Sequence, residues 1–347
     1  MKKNAKSVVR YAMKDRVVDK SVRDLVRKVC PSADQDLIYQ MVTTALKLQD
    51  EHVDRGDLKI LNASLKELRY AFRVFKPFRH FRKVSIFGSA RLPDTNPAYK
   101  MAKQFGKLMT ESGWMSITGA STGIMRAGHE GAGRAASFGA NIRLPFEQAV
   151  NSTIENDKKL IHFKYFFTRK LIFVKESDAI CLFPGGFGTL DEGCEVMTLV
   201  QTGKSNPRPI VLVEPKKDYY WEGWLHFVKR YILARKMIEP ADLSLLQLVT
   251  SAEAARDVII QFYKNYHSMR FVGEHLILRL QHPIDKSDVK RLNDRFSDIL
   301  TGGKITTSGP LVAEAGEEPS LPRLILKFNR RGYSRLKQMI DTINEFH

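Results

Sequence analysis

Five short apolar runs, separated by stretches of helical periodicity, restrict this chain to few architectures. They are Lys83-Val84-Ser85-Ile86-Phe87 before Gly88, Met115-Ser116-Ile117-Thr118 before Gly119, Ala140-Asn141-Ile142-Arg143-Leu144 before Pro145, Ala179-Ile180-Cys181-Leu182-Phe183 before Pro184, and Pro209-Ile210-Val211-Leu212-Val213 before Glu214. Runs this short and this rich in β-branched residues read as buried strands, and the intervening helical stretches make them parallel βαβ units. The expected class is α/β, with a Rossmann-like, doubly wound parallel sheet. In such sheets ligands bind beyond the carboxyl ends of the strands, where three of these runs enter Gly-rich or Ser/Thr-rich loops.

A chain of 347 residues exceeds one core of ~100–200 residues, so flanking pieces are expected. From Ser21 to about Phe75 apolar residues recur at helical spacing, as in Leu58, Leu61, Leu65, Leu68 and Phe72, until Pro77 interrupts the pattern. Beyond about Arg270, His275–Leu280 is strand-like, Ser287–Leu300 helical, Gly302-Gly303 a turn, Ile305–Ala313 strand-like, Gly316–Pro322 a loop, Arg323–Phe328 a strand and Tyr333–Phe346 a helix. The expected division is a helical N-terminal region over 1–80, the Rossmann-like domain over 81–268, and a small C-terminal α+β module of β-α-β-β-α order over 269–347.

Composition narrows the setting. No run of ~18 apolar residues offers a membrane span. Met1 to Cys30 has neither an apolar h-region nor a small-residue cleavage site. Cys30, Cys181 and Cys194 are odd in number and lack metal-ligand spacing, which fits a reducing compartment. The expectation is a cytoplasmic protein without a membrane partner or a bound metal. The formal charge of +18 attracts phosphate-bearing partners, whether a nucleotide, a nucleic acid or an anionic surface, without choosing among them.

The chemistry concentrates where Ala179–Phe183 runs into Pro184-Gly185-Gly186-Phe187-Gly188-Thr189 and then a helix from about Leu190 to Thr202. Glycines let backbone approach an anion closely, and the N–H groups of a helix start favour phosphate there. Thr189 is expected to cap that helix and lend a hydroxyl. A tight turn without any ligand would use the same glycines. Glu192 falls in the expected first turn, and Glu195, three residues on, shares its face. A carboxylate there can stabilise an oxocarbenium-like state or activate water, although acidic residues also favour helix starts for electrostatic reasons alone. Arg169 and Lys170 lie on the preceding expected helix, where Arg169 could present a planar fork to phosphate or to a base, or simply face solvent.

Other features admit blander readings. Cys194 has no histidine nearby in sequence and reads as a small buried side chain, and His162 is the one histidine close to Arg169. Phe72 to Lys83 interleaves four phenylalanines with basic residues, as a single-stranded nucleic-acid platform would. Its period of three across a helix end equally places the aromatics in a core.

Phe166-Phe167-Thr168-Arg169-Lys170, Ser177-Asp178-Ala179 and the run Pro184 to Glu192 together resemble the signature of the LOG family, named for a plant cytokinin-activating enzyme and long labelled lysine decarboxylases. The likeness extends from about Val84 to Val213. It takes in Phe87-Gly88-Ser89-Ala90-Arg91, Thr118-Gly119 through Gly123-Ile124-Met125, and Leu144-Pro145-Phe146-Glu147-Gln148 followed by Asn151. The resemblance implies a nucleoside 5′-monophosphate phosphoribohydrolase, similar to an AMP nucleosidase, that releases a free base and ribose 5-phosphate, with AMP as the default substrate. Arg169 and Glu192 fall on the family's catalytic positions. Gly88, Ser89, Gly119, Gly123, Gly185, Gly186, Gly188 and Thr189 would bind nucleotide and phosphate, with Lys170, Glu147 and Glu195 as secondary candidates. No cofactor is implied. A pyridoxal-phosphate decarboxylase would need a Schiff-base lysine, and nothing around Lys170 resembles one.

The resemblance further implies a homodimer or larger homo-oligomer. The flanking regions suggest gating by an anionic nucleotide effector. Arg126 and His129 stand where relatives commonly carry an acidic residue and an amide. That departure implies either an altered choice of nucleotide or binding without turnover, so a non-catalytic nucleotide-sensing or single-stranded nucleic-acid-binding protein is the alternative.

Overall fold

The computed structural model describes residues 11–144, 149–314 and 316–346. The chain divides into one unit over 1–66 and a second over 67–347. In the first, helices α1 (Arg16–Val29) and α2 (Gln35–Asp50) pack through Val22, Val26 and Tyr39, and Asp15 caps α1 by accepting from the Val17 and Val18 amides. Helix α3 (Arg55–Phe75) starts in this unit and ends in the next.

The second unit opens on β1 (Lys83–Phe87), α4 (Pro97–Glu111), β2 (Met115–Thr118), α5 (Ile124–Ala132), β3 (Ser137–Ile142) and β4 (Leu160–Phe163). It continues through α6 (Phe166–Glu176), β5 (Ala179–Leu182), α7 (Phe187–Gln201), β6 (Ile210–Val213), α8 (Tyr220–Phe227), β7 (Leu246–Val249) and α9 (Ala252–Phe262). The seven strands form one parallel sheet in the order β4-β3-β2-β1-β5-β6-β7. Alternation along the strands splits the core in two. Ile86, Cys181 and Val211 meet α4, α5 and α9 on one face, while Phe87, Ile180, Leu182 and Leu212 meet the end of α3 with α6, α7 and α8 on the other. The chain winds outward from β1 to β4 and then crosses back to start β5 on the other side of β1. The loops after β1 and β5 therefore diverge, and this switch point is where a doubly wound sheet leaves a crevice for a ligand.

The remaining elements are β8 (Tyr266–Val272), β9 (His275–Leu280), α10 (Lys286–Phe296), β10 (Leu300–Ser308), β11 (Arg323–Phe328) and α11 (Tyr333–Glu345). They build a separate antiparallel sheet in the order β10-β11-β9-β8, with α10 and α11 packed on one face of it through Leu292, Phe296, Leu336 and Ile340.

The α/β class and its doubly wound parallel sheet are thus present, with differences in detail. Strands β4, β7 and β8 were not expected: the first two are four residues long, and β8 mixes His267, Ser268 and Arg270 with its apolar residues. The small module consequently runs β-β-α-β-β-α. Gly302-Gly303 is not a turn between elements; it lies inside β10, where the pairing with β11 shifts register, because positive φ at both glycines accommodates a bulge. Strand β3 begins and ends earlier than the run Ala140–Leu144, and α7 begins at Phe187 rather than near Leu190.

Candidate active site

The crevice at the switch point holds a cavity of about 720 Å³, lined by the loop after β1, the glycine loop after β5, Gly119, Met125, Arg169, Phe173 and Glu192. Its first wall is held rigidly. The Ser89 amide donates to the Pro184 carbonyl at 3.0 Å, the Ser89 carbonyl accepts from the Ile124 amide at 2.9 Å, and the Thr122 hydroxyl donates to the Ala90 carbonyl at 2.7 Å. Gly88 is required because a Cβ would lie 2.6 Å from Ile124. Gly123 caps α5 with φ of 60° against the backbone of Ser89 and Ala90; it shapes this wall without lining the cavity.

In the second wall, a Cβ on Gly185 would strike the Thr189 hydroxyl and come within 2.9 Å of the Ser89 amide. Space is open at Gly186 and Gly188, which leaves their backbone accessible from the cavity. The helix cap is Gly186, without a side-chain hydrogen bond, and the Thr189 amide donates to its carbonyl. Thr189 thus lies in the first turn of α7 instead of capping it, because the helix starts earlier than the glycines suggest. Tyr220, at the start of α8, donates its hydroxyl to the Gly185 carbonyl at 2.5 Å and fixes the loop from behind.

Glu192 consequently occupies the second turn of α7, only 3% exposed. Its Oε1 accepts from Arg169 Nη2 at 3.2 Å. The start of α6, which carries Arg169, is fixed by Glu67, whose carboxylate accepts from the Lys164 amide at 2.8 Å and the Thr168 hydroxyl at 2.6 Å. The Arg169 guanidinium lies over the rings of Phe166 and Phe173, at 5.0 and 5.6 Å. Burial pushes the Glu192 carboxyl up to about 7, against the pull of Arg169 and Lys170. A carboxyl poised there exchanges a proton near neutrality, as a general base or an ionisable stabiliser must.

Lys170 pairs with Asp191 at 2.8 Å and Glu195 at 3.0 Å, which places both secondary candidates beside Glu192 but outside the cavity lining. Glu147 lies outside the described residues. Cys194 is exposed, contrary to the expectation of a buried side chain, because its position on α7 faces away from the sheet. His162, on β4, contacts Asn141 and is not part of the lining. Phe75 and Phe78 pack on Phe138 at 4.4 and 5.1 Å, so two of the four interleaved phenylalanines belong to the core, whereas Phe72 and Phe81 are exposed.

Arg126 and His129 are also clear of the cavity. Arg126 pairs with Glu130 at 2.7 Å on the surface of α5. His129 is fully buried; its Nε2 donates to the Phe138 carbonyl at 3.0 Å and its Nδ1 accepts from Asn151 Nδ2 at 3.1 Å. The histidine thereby ties α5 to β3 and to the segment at Asn151. Arg91 and Met125, which the sequence places in the resemblance without a role, and Phe173, which it does not single out, line the cavity together only through the sheet order, while Tyr220 reaches the glycine loop from outside the lining.

A family model described as "possible lysine decarboxylase" matches residues 117–259. A rice protein (Oryza sativa subsp. japonica), named a probable cytokinin riboside 5′-monophosphate phosphoribohydrolase, is 30% identical over 186 residues, which are 52% of this chain and 70% of the rice protein. The chain belongs to the LOG family. A second LOG protein of the same description, from Arabidopsis thaliana, is 32% identical over 93 residues, 27% of this chain and 43% of that relative. Among solved structures, the Moco carrier protein from Chlamydomonas reinhardtii is similar at 20% identity and a TM-score of 0.38, across 52% of this chain and 96% of the carrier. The family match spans β2 through most of α9 and thus contains Arg169, the glycine loop and Glu192.

Proposed function

We propose that this LOG-family chain hydrolyses the N-glycosidic bond of a nucleoside 5′-monophosphate, giving a free base and ribose 5-phosphate, with AMP as the first substrate to test. The observation that carries the reading is a buried carboxyl, Glu192, held by Arg169 in a cavity that is also lined by the glycine loop at the start of the helix bearing Glu192. That loop suits a phosphate, because the free amides of a helix start and its dipole favour an anion. With the phosphate there, the ribose lies toward Glu192. Its carboxylate then stabilises positive charge developing on the sugar as the bond to the base breaks, or takes a proton from the attacking water. Arg169 holds the carboxylate in place and neutralises the departing base. The relatives' names concern a substrate of the same chemical class.

The reading includes assembly as a homodimer or larger and gating of the site by an anionic nucleotide acting through the flanking regions 1–80 and 269–347. Incubating the purified protein with each nucleoside monophosphate and separating free base by chromatography tests the core of it. Release of base with stoichiometric ribose 5-phosphate supports it; no release from any nucleotide contradicts it.

A further inference from the structure

Two cations line the cavity among the described residues, Arg91 and Arg169, and they are not equivalent. Arg169 is committed to Glu192, and its Nε is buried without a partner. A phosphate drawn to Arg169 would be forced against the Glu192 carboxylate, and Lys170 is already held between Asp191 and Glu195. Arg91 stands apart from this. Arg91 lines the cavity and is exposed, and its side chain makes no ion pair or hydrogen bond among the described residues. Its backbone is nevertheless fixed: the Arg91 amide donates to the Ser89 hydroxyl at 3.1 Å, and Ser89 and Ala90 are bonded to Pro184, Ile124 and Thr122. The loop that bears the free guanidinium is therefore stitched directly to the glycine loop.

We propose that Arg91 is the phosphate-binding cation of this site, closing a planar fork over a phosphomonoester seated on Gly185 to Gly188, and that it makes the site select nucleoside monophosphates over nucleosides. The assignment rests on the nucleotide reading of the cavity given above. Amides alone supply partial charges, whereas a phosphomonoester near neutral pH carries close to two negative charges. A guanidinium offers paired N–H donors that match phosphate oxygens. Because the loop is already pinned, closing on the ligand orders only one side chain, so little of the interaction is lost to entropy. Division of labour follows: Arg91 and the glycine loop hold the phosphate, which leaves the Arg169–Glu192 pair intact for the glycosidic bond.

Ribose 5-phosphate has the phosphate and sugar but no bond to break, so it reports binding alone. Titration calorimetry at low ionic strength would compare ribose 5-phosphate, ribose and inorganic phosphate on the wild type, Arg91→Ala and Arg91→Lys, with thermal melts to confirm folding. The wild type is expected to bind ribose 5-phosphate far more tightly than ribose. Arg91→Ala is expected to weaken ribose 5-phosphate by about tenfold or more, and Arg91→Lys, which keeps the charge without the fork, by less. With AMP and adenosine as paired substrates, Arg91→Ala should reduce the preference for the nucleotide by a similar factor, chiefly through KM. Unchanged ribose 5-phosphate affinity in Arg91→Ala, or equal affinity of the wild type for ribose and ribose 5-phosphate, overturns the assignment. Arg91-dependent binding of ribose 5-phosphate without base release from any nucleotide upholds it while refuting the hydrolase.

Discussion

Arg169 Nη2 donates to Glu192 Oε1 at 3.2 Å, although the two residues lie 23 positions apart on separate helices and both are largely buried. This pair explains how a carboxyl so deep in the protein can still ionise. Burial, with smaller contributions from Glu195 and Asp191, drives its titration upward, and the guanidinium and Lys170 hold it to about 7.

If the ionised Glu192 is the reactive form, kcat/KM rises with pH to a midpoint near 7 and falls about tenfold per unit below it. Lys170→Met removes a cation that lowers the midpoint and should move it up; Glu195→Gln removes a charge that raises it and should move it down. Because the folded state binds this proton more tightly than the unfolded chain does, Glu192 costs stability as pH rises from 4.5 through about 7. A profile of kcat/KM that is flat between about pH 5.5 and 8.5 contradicts the assignment.

His129 gives a stability prediction of opposite slope. Burial holds its pKa below 6.5, so it stays neutral in the fold while the unfolded chain gains a proton. Its contribution is complete above pH 6.5 and is lost as the pH falls below that value. His129→Ala leaves the Phe138 carbonyl and the Asn151 amide without this partner and should cost about 2–4 kcal/mol. Urea melts at two pH values would show a gap between wild type and variant that narrows in acid; a constant gap would exclude the titration.

The loop glycines should separate into two kinds. Gly185→Ala places a methyl group against Thr189 and Ser89 and should destabilise by about 1–3 kcal/mol. Gly186→Ala meets open space, so its melting temperature should match the wild type while its affinity for ribose 5-phosphate falls, because the methyl group intrudes where the anion approaches. Thermal melts with calorimetry on both variants distinguish these effects. Equal loss of stability in the two would show that both glycines serve only the turn.

The far end of α7 is tied to the small module. Asp242 accepts from Gln201 at 2.6 Å on α7 and from the Ser334 hydroxyl at 2.5 Å on α11, and Gly203 leaves room for the Tyr333 ring. Asp242→Ala should lower stability by about 1–3 kcal/mol through the unpaired groups it leaves. Hydrogen exchange should show loosening at the carboxyl end of α7 and the start of α11 before it reaches Glu192. Uniform exchange along α7 would argue against this linkage.

Much of the arrangement is legible in the sequence because buried parallel strands are written as short apolar runs. Val84, Ile86, Ile180, Leu182, Val211 and Leu212 are apolar on both faces since helices cover both. Strands β4 and β7 escape notice because only four residues pair, and His162 and Gln247 interrupt them. Arg169 and Glu192 are visible through their motif, but no local pattern reveals that Arg91 joins them or that Tyr220 supports Gly185. Those contacts depend on the order in which strands enter the sheet. Arg126 and His129 mislead for the converse reason: they sit within a motif, yet the turn of α5 carries one to the surface and the other into the core.

The central claim is that the Glu192 carboxylate does the chemistry in a pocket other groups build. Glu192→Gln preserves its volume and an oxygen for Arg169 while removing the charge. Base release from AMP by the wild type and this variant, measured beside their calorimetric affinity for ribose 5-phosphate, tests it most directly. The expected result is a loss of at least about a hundredfold in turnover with affinity kept within a few fold. Equal turnover in the two proteins would contradict the account.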